Sequence, residues 1–154
     1  VGDYILPSAA IRGEGTSNDY FPPEVPALPA FNLQRAVSSN IRDFGKDYWT
    51  GTVFTTNRRV WEHDEEFKKH LKTIRSIAID METATLFTVG FHNTIPTGAL
   101  LLVSDMPMHP EGIKTEESDK KVTQTFVEEH LTIGIKALLS LQNNSRTIKH
   151  LRYE

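Results

Sequence analysis

Hydrophobic side chains follow two different periods along this chain, and together the two periods predict alternating strands and helices. Leu33, Val37, Ile41 and Phe44 recur at helical spacing and a glycine follows directly, which predicts a helix over residues 32–44 that ends there. Apolar residues at helical spacing also predict a long helix over residues 116–140. We further predict a short charged helix over residues 62–72 and a helix over residues 81–91. Runs rich in β-branched and aromatic residues predict strands over residues 4–6, 9–12, 48–54, 74–79 and 97–104.

This order of elements predicts the fold class. Strands that alternate with helices are typical of an α/β protein, here a three-layer sandwich around a mixed, largely parallel sheet. Residues 97–104 contain few polar positions, so we expect a central strand that is buried on both faces. The glycine- and proline-rich segment 13–29 predicts a long loop, and loops of that length are functional or disordered.

Acidic residues follow two of the predicted strands. Ligands in open α/β sheets bind at the carboxyl ends of the strands, and the loops after Phe54, Ile79 and Ser104 are predicted to leave such ends. These loops carry residues 55–59, the pair Met81-Glu82 and Asp105. Residue type alone leaves the roles open, because Asp105 also suits a turn, Glu82 a helix N-terminus and Met81 a core.

Composition narrows the class of protein. The chain has 154 residues, 38% of them hydrophobic, and a formal charge of −3, which suits one globular domain and gives no support to a nucleic-acid partner. It has no cysteine and no apolar run long enough for a membrane span. No two of the six histidines have the i, i+4 spacing of a helical metal site, so no metal is predicted. The chain begins inside a predicted strand, which leaves a mature chain, a cleaved chain and a fragment open.

Several motifs carry a resemblance to a known family. The Met-Glu pair in residues 79–86 and the Ser-Asp pair in residues 103–105 resemble the nucleoside phosphorylase/nucleosidase superfamily. Within it, the blocks Arg-Gly-Glu-Gly-Thr-Ser at 12–17 and Thr-Thr-Asn-Arg-Arg-Val-Trp at 55–61 resemble the AMP nucleosidases. Segments 110–119 and, more weakly, 147–154 extend the resemblance to nearly the whole chain.

The resemblance implies a fold and an activity. The expected fold is nucleoside phosphorylase-like, and the expected reaction is hydrolysis of AMP to adenine and ribose 5-phosphate without a metal or an organic cofactor. The expected protein is a cytoplasmic homohexamer of bacterial purine metabolism. Residues 1–154 would form the C-terminal part of one catalytic domain, which needs the N-terminal part of that domain to complete its site.

The resemblance also implies roles for the two acidic residues. Asp105 matches the general acid that gives a proton or a strong hydrogen bond to the departing purine. Glu82 matches the carboxylate that accepts hydrogen bonds from the ribose hydroxyls, and Met81 would pack on the sugar. Ser104 belongs to the same Ser-Asp motif and is counted with the substrate-binding residues.

The loop at residues 55–59 matches the segment that covers the base. Related phosphorylases often have a stacking phenylalanine there, whereas this chain has Arg59, with Trp61 two residues later. Arg58 and Arg59 suit either stacking on the purine or pairing with the 5′-phosphate, and Asn57 suits a hydrogen bond to the base. An exposed surface position stays an equal alternative for each of these residues.

Two further segments carry candidates with open alternatives. The polar residues of the glycine-spaced loop, which are Arg12, Glu14, Thr16 and Ser17, suit binding of the base or a subunit contact, and a structural turn is the alternative. Lys114 suits a cation that closes over the phosphate, and a solvated lysine is the alternative.

Two other functions use the same residues. A phosphorolytic purine nucleoside phosphorylase would employ the same Asp and Glu, with phosphate in place of water. A non-catalytic half-domain that supports assembly or regulation is the third hypothesis, although an isolated half-sheet would expose unpaired strand edges.

Overall fold

A computed structural model of the chain describes residues 1–142. The weakly matching segment 147–154 therefore lies outside the described residues. Two short 3-10 helices, Thr16–Asp19 and Pro110–Gly112, accompany the longer elements. The strands and helices are, in chain order, β1 (Tyr4–Gly13), α1 (Phe31–Asp43), β2 (Tyr48–Thr56), α2 (Glu65–Thr73), β3 (Ala78–Asp80), α3 (Thr83–His92), β4 (Leu101–Leu102) and α4 (Glu116–Gln142).

The described strands form one four-stranded sheet in the order β3-β2-β1-β4. β1 pairs with β2 and β2 pairs with β3 in parallel, and β4 pairs with β1 in the antiparallel direction. The predicted α/β fold with a mixed, largely parallel sheet is therefore confirmed. The two short strands predicted at 4–6 and 9–12 form a single strand, since a register shift between Pro7 and Ala9 keeps both halves paired with β2.

The prediction of a central strand over residues 97–104 is wrong in length and position. Only Leu101–Leu102 forms a strand, and both residues are half-buried at the edge of the sheet. The preceding backbone bonds to other partners: Thr97 O accepts from Ala30 N at 2.6 Å and Leu100 O contacts the His130 ring at 2.8 Å. Backbone groups that are used in this way cannot join a strand ladder.

Two other boundaries differ from the predictions for local reasons. The predicted strand 74–79 is reduced to β3, because Ile74 still caps α2 and Arg75 has a φ of 55°, which breaks an extended run. Helix α2 begins at Glu65 rather than at residue 62, because the Asp64 carboxylate accepts the Phe67 backbone N–H at 2.9 Å and so caps the helix.

Three hydrophobic clusters hold the helices against the sheet. The first joins α1 and α4 to the start of β1, the second joins α3 to Ala10 and Ala27, and the third joins α2 to Phe54 and Trp61. Because α3 follows β3 directly, this packing fixes the strand end at which Met81 and Glu82 lie. Among residues 1–142, no helix has both the length and the apolar character needed to cross a bilayer.

Candidate active site

An open cavity of about 950 Å³ contains most of the residues that the sequence singled out. One wall follows β3 and its exit, another follows β4 and the loop after it, and the start of α4 contributes a third. Glu82 and Asp105 both line this cavity, so the two acidic residues face one common space. The other sequence-predicted residues that line it are Met81, Trp61, Ser104 and Lys114.

The two acidic residues reach the cavity from opposite ends of the sheet. Glu82 follows β3, whose carboxyl end lies beside that of β2. Asp105 follows β4, which runs antiparallel to β1. The Val103 backbone accordingly exchanges hydrogen bonds of 2.9 Å with Gly2 and Asp3, near the amino end of β1. The prediction that both residues lie at one sheet edge is therefore wrong, and they share a cavity because it extends along the sheet.

A buried polar network positions the Met81-Glu82 pair. The Thr55 hydroxyl donates to Asp80 Oδ1 at 2.7 Å, and the Ala84 backbone N–H donates to Thr55 Oγ1 at 2.9 Å. Asp80 Oδ2 accepts from the Thr83 N–H at 3.0 Å and from the Thr83 hydroxyl. Asp80 thus satisfies donors of the first turn of α3. Because Asp80 and Thr83 are both held by this network, the two residues between them, Met81 and Glu82, are fixed in position. Glu82 is thereby held at the start of α3.

Asp105 shares the cavity with a hydroxyl donor and an ion pair. The Ser104 hydroxyl donates to Asp105 Oδ1, which leaves Oδ2 as a second polar atom for a ligand. Lys114 forms an ion pair of 2.7 Å with Asp119, and the side chains of both are about half exposed. An exposed pair of this kind contributes little stability, so the lysine can exchange its partner for a bound anion at small cost.

Arg12 does not line the cavity; it holds the loop after β1. Its guanidinium donates five hydrogen bonds of 2.6–3.0 Å to groups between residues 17 and 25. This geometry favours the structural alternative for Arg12. The acceptors are the Ser17 hydroxyl, the Asn18 side-chain oxygen and the carbonyl oxygens of Phe21, Pro22 and Val25.

The predicted base-covering loop lies mostly outside the cavity. Asn57, Arg58 and Arg59 are exposed and are not among its described lining residues. Arg58 pairs with Asp64 at 2.9 Å and lies 4.9 Å from the centre of the Phe67 ring, so it stabilises the start of α2. Trp61 lines the cavity but also packs in the third hydrophobic cluster, where only 9% of it is exposed.

Thr55, which was predicted to belong to the base-covering loop, lies in β2 instead and bonds to Asp80, for which no role was predicted. The available signal was local: Asp80 stands three residues before Thr83 at the start of a predicted helix, an arrangement in which the carboxylate accepts from the helix N-terminus. The role of Thr55 had no such signal, because its bond to Asp80 depends on the register between β2 and β3, in which these two residues are partners.

The fold and the cavity define the class of protein. The phosphorylase superfamily matches residues 1–140, and the chain belongs to this superfamily.

Within this superfamily, the chain is similar to AMP nucleosidases. It is 59% identical to the solved AMP nucleosidase of Bacteroides thetaiotaomicron VPI-5482, with a TM-score of 0.80, over 94% of this chain and 57% of that one. It is 33% identical to the AMP nucleosidase of Escherichia coli K12 over 90% of this chain and 30% of that protein. The predicted resemblance is thereby confirmed. The chain spans about a third of the curated relative and somewhat more than half of the solved one.

A phosphorolytic relative also matches. The uridine phosphorylase of Treponema pallidum is 30% identical over 66% of this chain and 43% of that protein.

Proposed function

We propose that this chain is part of an AMP nucleosidase, which hydrolyses AMP to adenine and ribose 5-phosphate. The observation that carries the proposal is the 59% identity to the Bacteroides thetaiotaomicron enzyme over 94% of the chain. The shared cavity of Glu82 and Asp105 supports it, because the reaction needs groups on both the base and the sugar.

The chemistry assigns one acidic residue to each half of the nucleotide. As the bond between C1′ and the purine nitrogen breaks, its electron pair moves to the adenine and the sugar carbon becomes cationic. Asp105 gives a proton or a strong hydrogen bond to the adenine. Glu82 accepts from the ribose hydroxyls, and its negative charge stabilises the cationic sugar. The oxygen of a water molecule bonds to C1′ as the water loses one proton. That proton returns to Asp105 when Asp105 has protonated the adenine, and it goes to the adenine itself when Asp105 supplies only a hydrogen bond.

Lys114 is the candidate within this chain for the 5′-phosphate. Lys114 lines the cavity with Asp105, and its ammonium group forms an exposed ion pair with Asp119. A phosphate carries more charge than Asp119, so it competes effectively for the lysine. Arg58 and Arg59 remain proposed alternatives, which would require the exposed segment 57–59 to move toward the nucleotide.

We propose that this chain is the C-terminal part of the catalytic domain and that the N-terminal part completes the cavity and organises the water. Apolar side chains support this proposal, since the cavity lining includes Trp49, 65% exposed, and Met106, 46% exposed. Surfaces of this kind are covered in working enzymes. We further propose, from the family resemblance, a cytoplasmic homohexamer that acts in purine metabolism.

Phosphorolysis is the second candidate, favoured by the match to uridine phosphorylase. It uses the same acid and the same ribose carboxylate, so substitutions at Asp105 and Glu82 cannot separate the two reactions. A non-catalytic half-domain is the third candidate.

Product analysis separates the three candidates. The complete protein is incubated with AMP, and separately with a purine nucleoside, each with and without inorganic phosphate. Our proposal predicts adenine and ribose 5-phosphate from AMP without phosphate. Ribose 1-phosphate that is formed from the nucleoside only when phosphate is present would establish the phosphorylase instead. Nucleotide binding without any turnover would establish the non-catalytic alternative.

A further inference from the structure

A buried carboxylate joins the loop after β1 to the helix that begins with Glu82. Glu14 is only 7% exposed. Its Oε1 accepts the Ser17 backbone N–H at 2.9 Å and the Thr85 hydroxyl at 2.9 Å. The second bond connects residues 71 positions apart in sequence, so it is a tertiary restraint on the first turn of α3.

The restraint acts close to the proposed ribose ligand. Glu82 is the N-cap residue of α3, and Thr85 lies three residues later, on the same side of the helix. The network of Thr55, Asp80 and Thr83 holds this turn from the sheet side. Glu14 therefore adds a second point of attachment, from the loop side.

The loop that carries Glu14 is itself well held. Five hydrogen bonds from Arg12 hold it, three of them to backbone carbonyl oxygens, and its aromatic residues contact the far end of α3. The Phe21 ring lies 5.5 Å from that of Phe91, and the Tyr20 ring lies 5.3 Å from that of His92. Because the loop contacts α3 at both ends, Glu14 is attached to a rigid support.

Glu14 is held in its charged form by hydrogen bonds. Burial opposes ionisation, but the hydrogen bonds from Ser17 and Thr85 outweigh it, so the pKa of Glu14 lies below the usual value for a glutamate. Oε2 is also buried and has no hydrogen-bond partner among the described residues.

We propose that Glu14 is a positioning residue for Glu82: its bond to Thr85 fixes the first turn of α3 and so orients the carboxylate that holds the ribose. The inference rests on the proposed function, because it requires that Glu82 contact the sugar of the substrate. Glu14 itself is separated from the substrate by the helix turn that it holds.

The test removes the hydrogen bond between Thr85 and Glu14 and keeps the shape of the side chain at position 85. Thr85→Val in the complete protein lowers kcat/KM for AMP by about 10-fold, less than the roughly 100-fold that a displacement of 1 Å can cost. Thr85→Ser, which keeps the hydroxyl, restores most of the rate. Thr88→Val is the control on the same helix, since Thr88 is buried on α3 about one turn beyond the partly buried Thr85. It leaves kcat/KM within about 2-fold of the wild type, as expected for a site that is not coupled to Glu82.

A double-mutant cycle distinguishes positioning from general destabilisation. In a Glu82→Gln background, Thr85→Val and Glu14→Gln each lower the remaining rate by less than about 2-fold. Both residues act through the Glu82 carboxylate, and the effects of substitutions that act through one group do not add. Losses that multiply in full would overturn the proposal, as would a Thr85→Val enzyme within 2-fold of the wild type. Melting temperatures of all variants identify any that do not fold. If Thr85→Val does not fold, the rate of Glu14→Gln tests the proposal in its place.

Failure of the proposed function has a different signature. If the wild type releases no adenine from AMP but cleaves a nucleoside with phosphate, AMP hydrolysis is refuted, and the same cycle is measured with the phosphorolytic reaction. If neither substrate is turned over, both proposals are refuted.

Discussion

Replacing Thr55 with valine tests how the Met81-Glu82 pair is held. Thr55 has no exposed surface, and its hydroxyl both donates to Asp80 and accepts from the Ala84 N–H. Valine has nearly the same shape but makes neither bond. A lost hydrogen bond to a charged group costs about 1.5–3 kcal/mol, and a buried N–H left unpaired costs about 1–3 kcal/mol. Because Asp80 keeps its bonds from Thr83, we expect a total of about 2–4 kcal/mol.

Two assays on the complete protein measure this effect. Urea unfolding gives the change in the free energy of unfolding, and adenine release from AMP gives kcat/KM, which we expect to fall by about 10-fold to 100-fold as Glu82 shifts. Thr52→Val is the matched control, because Thr52 lies on the same strand and is only half-buried. A loss of stability below about 1 kcal/mol, the scale of one ordinary hydrogen bond, together with an unchanged rate, would refute the role of the network.

Three further predictions follow from the described contacts. The substitution Arg12→Ala removes five hydrogen bonds from the loop after β1. It should speed limited proteolysis between residues 18 and 24 by about 10-fold or more, because local opening of the loop sets the cleavage rate. An unchanged cleavage rate would contradict the structural role of Arg12. The pKa of Glu14 is lowered in the folded state, so its charge stabilises the protein above the unfolded pKa of about 4.3, and this contribution is lost as pH falls through the lower folded pKa. The urea midpoints of the wild type and of Glu14→Gln should therefore converge as the pH is lowered from 7 toward 3. A difference between the two midpoints that stays constant with pH would refute this prediction. Phe87→Ala, at an almost fully buried position of the second cluster, should cost about 3–5 kcal/mol, measured by urea unfolding, whereas a cost near zero would show that α3 is not packed as described.

The helices were the most predictable part of the fold. The apolar period of residues 32–44 places α1 within one residue of its observed start and end, because helical spacing is a local property of the sequence. For α4 the predicted start at Glu116 is the observed one, and the helix continues two residues beyond the predicted end at residue 140.

The short strands were less predictable, since strand length depends on the partner. Residues 97–100 have the composition of a buried strand, yet their backbone groups bond to Ala30, Gln34 and His130. No local sequence pattern predicts these hydrogen-bond partners. The antiparallel direction of β4 is a topological property of the same kind, and it placed Asp105 at the end of the sheet opposite to the one predicted.

The candidate site was predictable where the motifs are short and contiguous. Met81-Glu82 and Ser104-Asp105 each lie in one segment, and both line the cavity. Thr55 with Asp80, and Glu14 with Thr85, are pairs of distant residues that only the folded register brings together. The exposed loop of Asn57, Arg58 and Arg59 carries charge that serves an ion pair with Asp64 as well as it would serve a ligand.

The most direct test of the central claim is the rate at which the complete protein releases adenine from AMP when Asp105 is replaced with asparagine. Loss of a general acid lowers kcat by about 100-fold to 10,000-fold, and we predict a fall in that range with KM little changed. An Asp105→Asn protein that releases adenine within about 2-fold of the wild-type rate would contradict the assignment of Asp105 as that general acid.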